Sequence, residues 1–106
     1  MKKKINRVLI SVSDKSNLNI LMKTLIKYNV EVISSGGTFN AIKELGYECK
    51  DVSNFTRFKE MLDGRVKTLH PKIHAGILND RSNKKHKREM KKNKFYNIDL
   101  IIVNFY

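Results

Sequence analysis

"EVISSGGTFNAI", residues 31–42, is the stretch that decides the fold. It begins as a β-branched run, breaks into two serines, two glycines and a threonine, and resumes with apolar residues at helical spacing. An extended segment that passes through a glycine-rich turn straight into a helix is the joint of an α/β sheet, where loops at the carboxyl ends of the strands lead into helix amino termini. Gly36 and Gly37 permit positive φ and a close approach of bare backbone N–H groups, and Ser34, Ser35 and Thr38 add hydroxyls. With the positive end of the following helix behind it, such a turn suits a phosphate.

The neighbouring segments read in the same way. "RVLISVS" at 7–13 is a short apolar run of the kind buried in a parallel sheet. Leu18, Leu21, Met22, Leu25 and Ile26 then recur at helical spacing, with Ser16 placed to cap the helix and Asn29 suited to a left-handed C′ position. Residues 30–34 form a second strand. Phe39, Ala41, Ile42 and Leu45 make a shorter helix closed by Gly46, and "YECKDV" at 47–52 fits a third strand. This alternation predicts a three-layer α/β fold, a mostly parallel sheet with right-handed crossovers and helices on both faces. Residues 53–80 are less regular and hold the single proline, Pro71, with a short helix expected around 57–62. A solvated helix fits 81–94, and "IDLIIVNFY" at 98–106 is the most apolar strand. A central strand in that position predicts that residues 1–106 are the front part of one longer domain; there are no internal repeats.

Composition narrows the function classes. A chain of 106 residues, 41% hydrophobic, supports one modest core. It has no run long enough for a membrane span or a signal peptide, so the expectation is a cytoplasmic protein with no membrane partner. One cysteine, Cys49, permits no internal disulfide and reads as a half-buried strand thiol. The net charge of +12 raises the possibility of nucleic acid, but twelve of the 22 basic residues lie in two runs, residues 1–7 and "RSNKKHKREMKKNK" at 81–94, with one of the 10 acids, Glu89. The rest is almost neutral, and neither run interleaves aromatic residues for base stacking. A basic nucleic-acid-binding module is therefore an alternative rather than the main reading.

Two further loops carry chemistry. "SVSDK" ends the first strand on the same edge as "SSGGT", so Ser11, Ser13 and Lys15 can converge on the anion held by Ser35, Gly36, Gly37 and Thr38. "DGRVKTLHP" at 63–71 sets the planar fork of Arg65, the point charge of Lys67 and the hydroxyl of Thr68 in one loop, a combination suited to an anionic substrate, although the spacing alone fits a charged surface equally well. His70 and His74 have the i, i+4 spacing of a zinc pair, but Pro71 sits between them and no third ligand is near. Scaffold hydrogen bonding is the expected use, with no metal site; His86, inside the lysine run, is expected to face solvent.

Together, "SVSDK", "SSGGT", "DVSNFTRFKEMLDGRVKTLHPKIHAGIL" and "IDLIIVNFY" closely resemble the amino-terminal cyclohydrolase domain of the bifunctional purine biosynthesis enzymes, which join an IMP cyclohydrolase to an AICAR transformylase. The likeness covers essentially the whole chain. The sheet also resembles the wider methylglyoxal synthase-like group, including the regulatory domain of carbamoyl phosphate synthetase, which has the strand and "GGT" pattern without "GRVKTLHPKIHAGIL". The resemblance implies ring closure of 5-formamidoimidazole-4-carboxamide ribonucleotide to IMP, with no cofactor for that step. By matching position it implies that Ser11, Ser13, Lys15, Ser35, Gly36, Gly37, Thr38, Arg65 and Thr68 surround the phosphate end of a purine ribonucleotide, and that Lys67 and Tyr106 stand at the chemistry. It further implies a homodimeric parent enzyme whose transformylase domain, absent here, uses 10-formyltetrahydrofolate, and a further acid and lysine contributed to the cyclohydrolase site from beyond these residues. Asn29 and Phe39 depart from the family's glycine and small residue. A methylglyoxal synthase-like domain that senses a nucleotide or phosphate without turnover is the other alternative.

Overall fold

Val8 and Ile10 are completely buried on one side of the first strand and Leu9 is buried on the other, so this strand needs cover on both faces. In a computed structural model that describes residues 4–12, 15–57 and 70–103, the elements run β1 (Arg7–Ser11), α1 (Leu18–Lys27), β2 (Glu31–Ser34), α2 (Gly36–Glu44), β3 (Lys50–Asp51), α3 (Val52–Thr56), α4 (Pro71–Leu78), α5 (Lys84–Lys92) and β4 (Leu100–Val103). The strands form one sheet in the order β3-β2-β1-β4, with every pairing parallel. From one face, Leu18, Met22 and Leu25 of α1 and Ile42 of α2 pack with Val8, Ile10 and Val32. From the other, Val52 and Phe55 of α3 and Ile73 of α4 pack with Leu9 and Ile33. Each such side chain contributes about 1.5–3 kcal/mol when fully buried, so both layers hold the sheet. The three-layer α/β expectation is met.

Three helices end in the same way because their sequences permit a left-handed residue at the same place. After α1, Asn29 has φ 56°, its N–H bonds to the Ile26 carbonyl, and the Val30 N–H reaches back to Leu25. Gly46 (φ 88°) and Tyr47 repeat the motif after α2, bonding to Lys43 and Ile42, and Lys94 (φ 57°) and Phe95 repeat it after α5, bonding to Lys91 and Met90. This paired closure satisfies carbonyls that a helix end would otherwise leave open. It returns the chain toward the sheet, where Val30 and Tyr47 pack against the core.

Several local expectations are corrected. Ser16 does not cap α1: Asn17 holds the N-cap position and makes no side-chain cap bond. The third strand is only Lys50–Asp51, because the Asp51 carboxylate accepts from the Ser53 N–H and starts α3 at Val52. α3 covers Val52–Thr56 and ends at Arg57, left-handed at φ 59°; the helix expected around 57–62 falls, from residue 58 on, outside those described. Cys49 is half-buried just before β3 rather than within it. Among the described residues β4 stands at the margin of the sheet. Leu100 and Ile102 pack on the α1 and α2 side, while Ile101 and Val103 are 42% and 51% exposed on the other.

The amino end of the sheet is tied together by charge. Asp99 Oδ2 accepts from the backbone N–H groups of Asn6 and Arg7 at 2.8 and 3.0 Å, and Oδ1 takes a 2.6 Å ion pair from Arg81. Burial pushes the Asp99 carboxyl up, but the bonds from Asn6, Arg81 and Arg7 together outweigh it and hold its pKa below the ordinary value. Arg7 pairs with Glu31 at 3.1 Å and donates to the Asn97 carbonyl, linking β1, β2 and the approach to β4. Among the described residues no helix is long and apolar enough to cross a membrane.

Candidate phosphate-binding site

At the carboxyl end of the sheet, β2 runs directly into bare backbone. β2 ends at Ser34, Ser35 is extended at φ −151°, ψ 162°, and α2 starts at once with Gly36 and Gly37. Gly36 sits at φ 56°, a left-handed value that glycine adopts without cost, whereas Gly37 is not in that region. Here the expectation for two positive-φ glycines is half met. Ser35 holds the N-cap position but its side chain makes no cap bond, and the first turn of α2 has no acid. The leading N–H groups of α2 are therefore left for another acceptor, with the positive end of the helix dipole behind them.

Lys15 is drawn to this corner. Its ammonium donates to the Val12 carbonyl at 2.8 Å, and its Cε and Nζ lie 3.7 Å from where a side chain on Gly37 would begin. Thr38 holds the same two elements together. Its hydroxyl is buried, donates to the Val12 carbonyl at 3.0 Å and accepts from the Val12 N–H at 3.1 Å. The end of β1 is thus clamped to the first turn of α2, and Thr38 positions the corner, its hydroxyl engaged by backbone on both sides.

Of the residues expected from the sequence, Lys15, Ser35, Gly36, Gly37 and Thr38 come together here. Ser11 ends β1 opposite Val103 of β4 and alternates with Ile10, which puts it on the Leu9 face rather than the Val32 face. Ser13, Arg65, Lys67, Thr68 and Tyr106 lie outside the described residues. One participant was not singled out in sequence, and one hydroxyl expected at the turn is turned inward. The backbone of Val12 organises both Lys15 and Thr38, which no side-chain pattern announces. Ser34 is fully buried and its hydroxyl has no hydrogen-bond partner. The alternation of "VIS" puts Ser34 on the Val32 side, under α2, and was a readable signal.

The histidines are structural. His70 is the N-cap of α4, its Nδ1 accepting from the Lys72 N–H at 3.0 Å with Pro71 at the first helical position. His74 lies exposed on α4, and among the described residues no three of His, Cys, Asp and Glu form a metal-holding group. His86 departs from its expected solvent-facing role: it is half-buried and accepts from the Asp80 N–H through Nδ1 at 2.9 Å. Cavities of about 690 and 680 Å³ lie away from the α2 corner, one beside Tyr47 and Cys49 and the other beside Arg7 and Tyr96. At the α2 corner the arrangement offers backbone donors, one lysine and a positive helix end, which is equipment for binding an anion.

Comparison with known proteins agrees with this fold. The family model described as MGS-like domain matches residues 17–106. The bifunctional purine biosynthesis protein PurH of Bradyrhizobium diazoefficiens is 50% identical over 104 residues, which are 98% of this chain and 20% of that protein. The proteins of the same name from Clostridium perfringens and Leptospira biflexa are 52% identical over 100 residues and 48% over 102, covering 94% and 96% of this chain and 20% of each relative. The chain spans about a fifth of the length of these curated relatives, matching their amino-terminal part. Among solved structures, the crystal structure of ForH superposes with a TM-score of 0.87 at 30% sequence identity, covering 95% of this chain and 53% of that one.

Proposed function

This chain belongs to the MGS-like domain family, and from that membership we propose that it supplies the nucleotide-gripping part of an IMP cyclohydrolase in purine biosynthesis. The observation that carries the reading is the uncapped amino terminus of α2, with Gly36 and Gly37 at its start and the Lys15 ammonium beside them. The roughly 50% identity to proteins named for purine biosynthesis supports the choice of a purine ribonucleotide over other phosphates.

In this reading the 5′-phosphate of the formylated aminoimidazole carboxamide nucleotide sits against the first turn of α2 and Lys15, with Ser35 alongside and Thr38 keeping the turn fixed to β1. Ser11, Ser13, Arg65 and Thr68 complete the grip, an assignment that rests on the family likeness. Ring closure joins the carboxamide nitrogen to the formyl carbon within one molecule and then expels water. Holding the two groups at attacking distance supplies much of the acceleration. Tyr106 donates a hydrogen bond to the oxygen that gains charge, and Lys67 stabilises that charge or assists departure of the hydroxyl. The step needs no cofactor. The proposal extends to a cytoplasmic homodimeric parent protein whose transformylase portion uses 10-formyltetrahydrofolate.

Calorimetry of the chain with IMP, xanthosine monophosphate and inorganic phosphate tests this directly. The purine monophosphates should bind more tightly than phosphate, and both Lys15→Ala and Lys67→Ala should weaken them by tenfold or more, a difference of about 1.4 kcal/mol. Equal weak binding of every anion overturns the enzymatic reading. Tight binding of purine monophosphates that is indifferent to Lys67→Ala and Tyr106→Phe would favour the sensing alternative.

A further inference from the structure

Two basic runs that are remote in the sequence meet on one surface at the amino end of the sheet. Lys4 and Arg7 line a cavity of about 680 Å³ together with Arg81 and Asp99. Arg81, Lys87, Lys91 and Lys94 line a neighbouring cavity of about 420 Å³, and the two share Phe95, Tyr96 and Asn97. Asp99 is the single acid in these two linings, and Arg81 already occupies it at 2.6 Å, just as Glu31 occupies Arg7 at 3.1 Å. Lys4, Lys87, Lys91 and Lys94 make no ion pair among the described residues. The charge excess that the sequence divides between two runs is gathered in one place, and its surplus is uncompensated there. Burial and then Arg57, Lys50 and Arg7 hold the Lys72 ammonium below its ordinary pKa on the neighbouring side of Tyr96, in keeping with a positive surplus at this end.

We infer that this surface binds the phosphate backbone of a nucleic acid. Lys87 and Lys91 stand one turn apart on α5 and Lys94 lies just beyond its end, so three cations line one side of the same cavity, an arrangement suited to a regularly charged chain. An acidic protein is the weaker fit, because protein interfaces place apolar or aromatic anchors at their centre and are depleted in lysine. Here lysines surround the centre, and the ring of Tyr96, 52% exposed, has the Arg7 guanidinium over it at 5.0 Å and the Lys72 ammonium at 5.7 Å. With two cations already over that ring, the surface presents positive charge rather than a bare stacking face, so contact is with phosphates and is independent of base sequence. The surface lies at the opposite end of the strands from the α2 corner, and the inference stands apart from the proposed enzymatic reading.

Fluorescence anisotropy with a fluorescein-labelled oligouridylate, titrated between about 50 and 200 mM salt, tests it. Affinity should fall steeply with salt, with a logarithmic slope of about 0.7 for each phosphate contacted. The triple substitution Lys87→Gln, Lys91→Gln, Lys94→Gln should lose at least tenfold in affinity and reduce the slope by about 2. Lys23→Gln, Lys27→Gln, Lys43→Gln removes the same charge from α1 and α2 and should lose less than twofold. Equal losses in the two triples would mean that net charge alone is being read, and the inference falls. It falls as well if binding is insensitive to salt, or if polyglutamate or phosphatidylserine vesicles bind as tightly as the oligonucleotide. Circular dichroism checks that the triples fold. Should the α5 triple not fold, Lys87→Gln alone takes its place, and a slope change of about 0.7 is required of it.

Discussion

Helices α2 and α4 lie on opposite faces of the same sheet, are of nearly equal length, and each starts from an extended residue, yet their ends and their glycines are used in opposite ways. α4 is closed at its start by the His70 imidazole and by Pro71, and its Gly76 lies so near the chain ahead of β4 that an added methyl would stand 2.6 Å from the Tyr96 carbonyl oxygen. α2 has no side-chain cap, and a methyl on Gly37 would meet only the Lys15 side chain at an ordinary 3.7 Å. The same residue type thus marks close packing in one helix and accessible backbone in the other. What separates them is whether a Cβ has somewhere to go.

Gly76→Ala sharpens the contrast most. A helix interior normally gains up to about 1 kcal/mol from this change, so a net loss of about 3 kcal/mol in denaturant unfolding would show that packing governs the position. Thr38→Val should cost about 2 kcal/mol by leaving the Val12 N–H unpaired and its carbonyl with Lys15 alone, and should weaken IMP binding with it. Gly37→Asp is the change that divides stability from binding. A carboxylate in the first turn of α2 and beside Lys15 should raise thermal stability by about 0.5 kcal/mol while IMP affinity falls at least tenfold, and a parallel loss of both would break the comparison. His70→Ala should cost about 1 kcal/mol in unfolding experiments and leave calorimetric binding of inorganic phosphate unchanged.

The smallest effect concerns the charged end of the sheet. The folded-state pKa of Asp99 lies below its ordinary 3.8, so its contribution to stability is present above that value and is lost as the pH falls through the lowered one. The stability difference between the parent chain and Asp99→Asn should therefore shrink as acid unfolding is followed below about pH 4.

What could be read from the sequence follows from how local each cause is. β1, α1, β2 and α2 were legible because their apolar periodicities are uninterrupted, and Asn29 and Gly46 carry the left-handed closures their residue types suggest. β3 and α3 were misjudged because one side chain, Asp51, turns the backbone into a helix where β-propensity would continue a strand. The marginal position of β4 among the described residues was not legible either, since apolarity suggests burial and Leu100–Val103 is only alternately half-buried. At the candidate site, "SSGGT" gave the bare helix end. The clamp from Thr38 to Val12 was hidden because its partner is backbone, and so was the union of the two lysine-rich runs, which depends on where β1 and α5 lie in three dimensions.

β4 carries one more consequence. Among the described residues its outer edge has no neighbouring strand, and Ile101 and Val103 present aliphatic surface beside that row of open amides and carbonyls. Such a margin is a template on which strands of other molecules can crystallise into cross-β order, so concentrated solutions of these residues should turn turbid with time. A lysine at position 103, pointing outward from the α3 and α4 side, would be the least intrusive way to keep them clear.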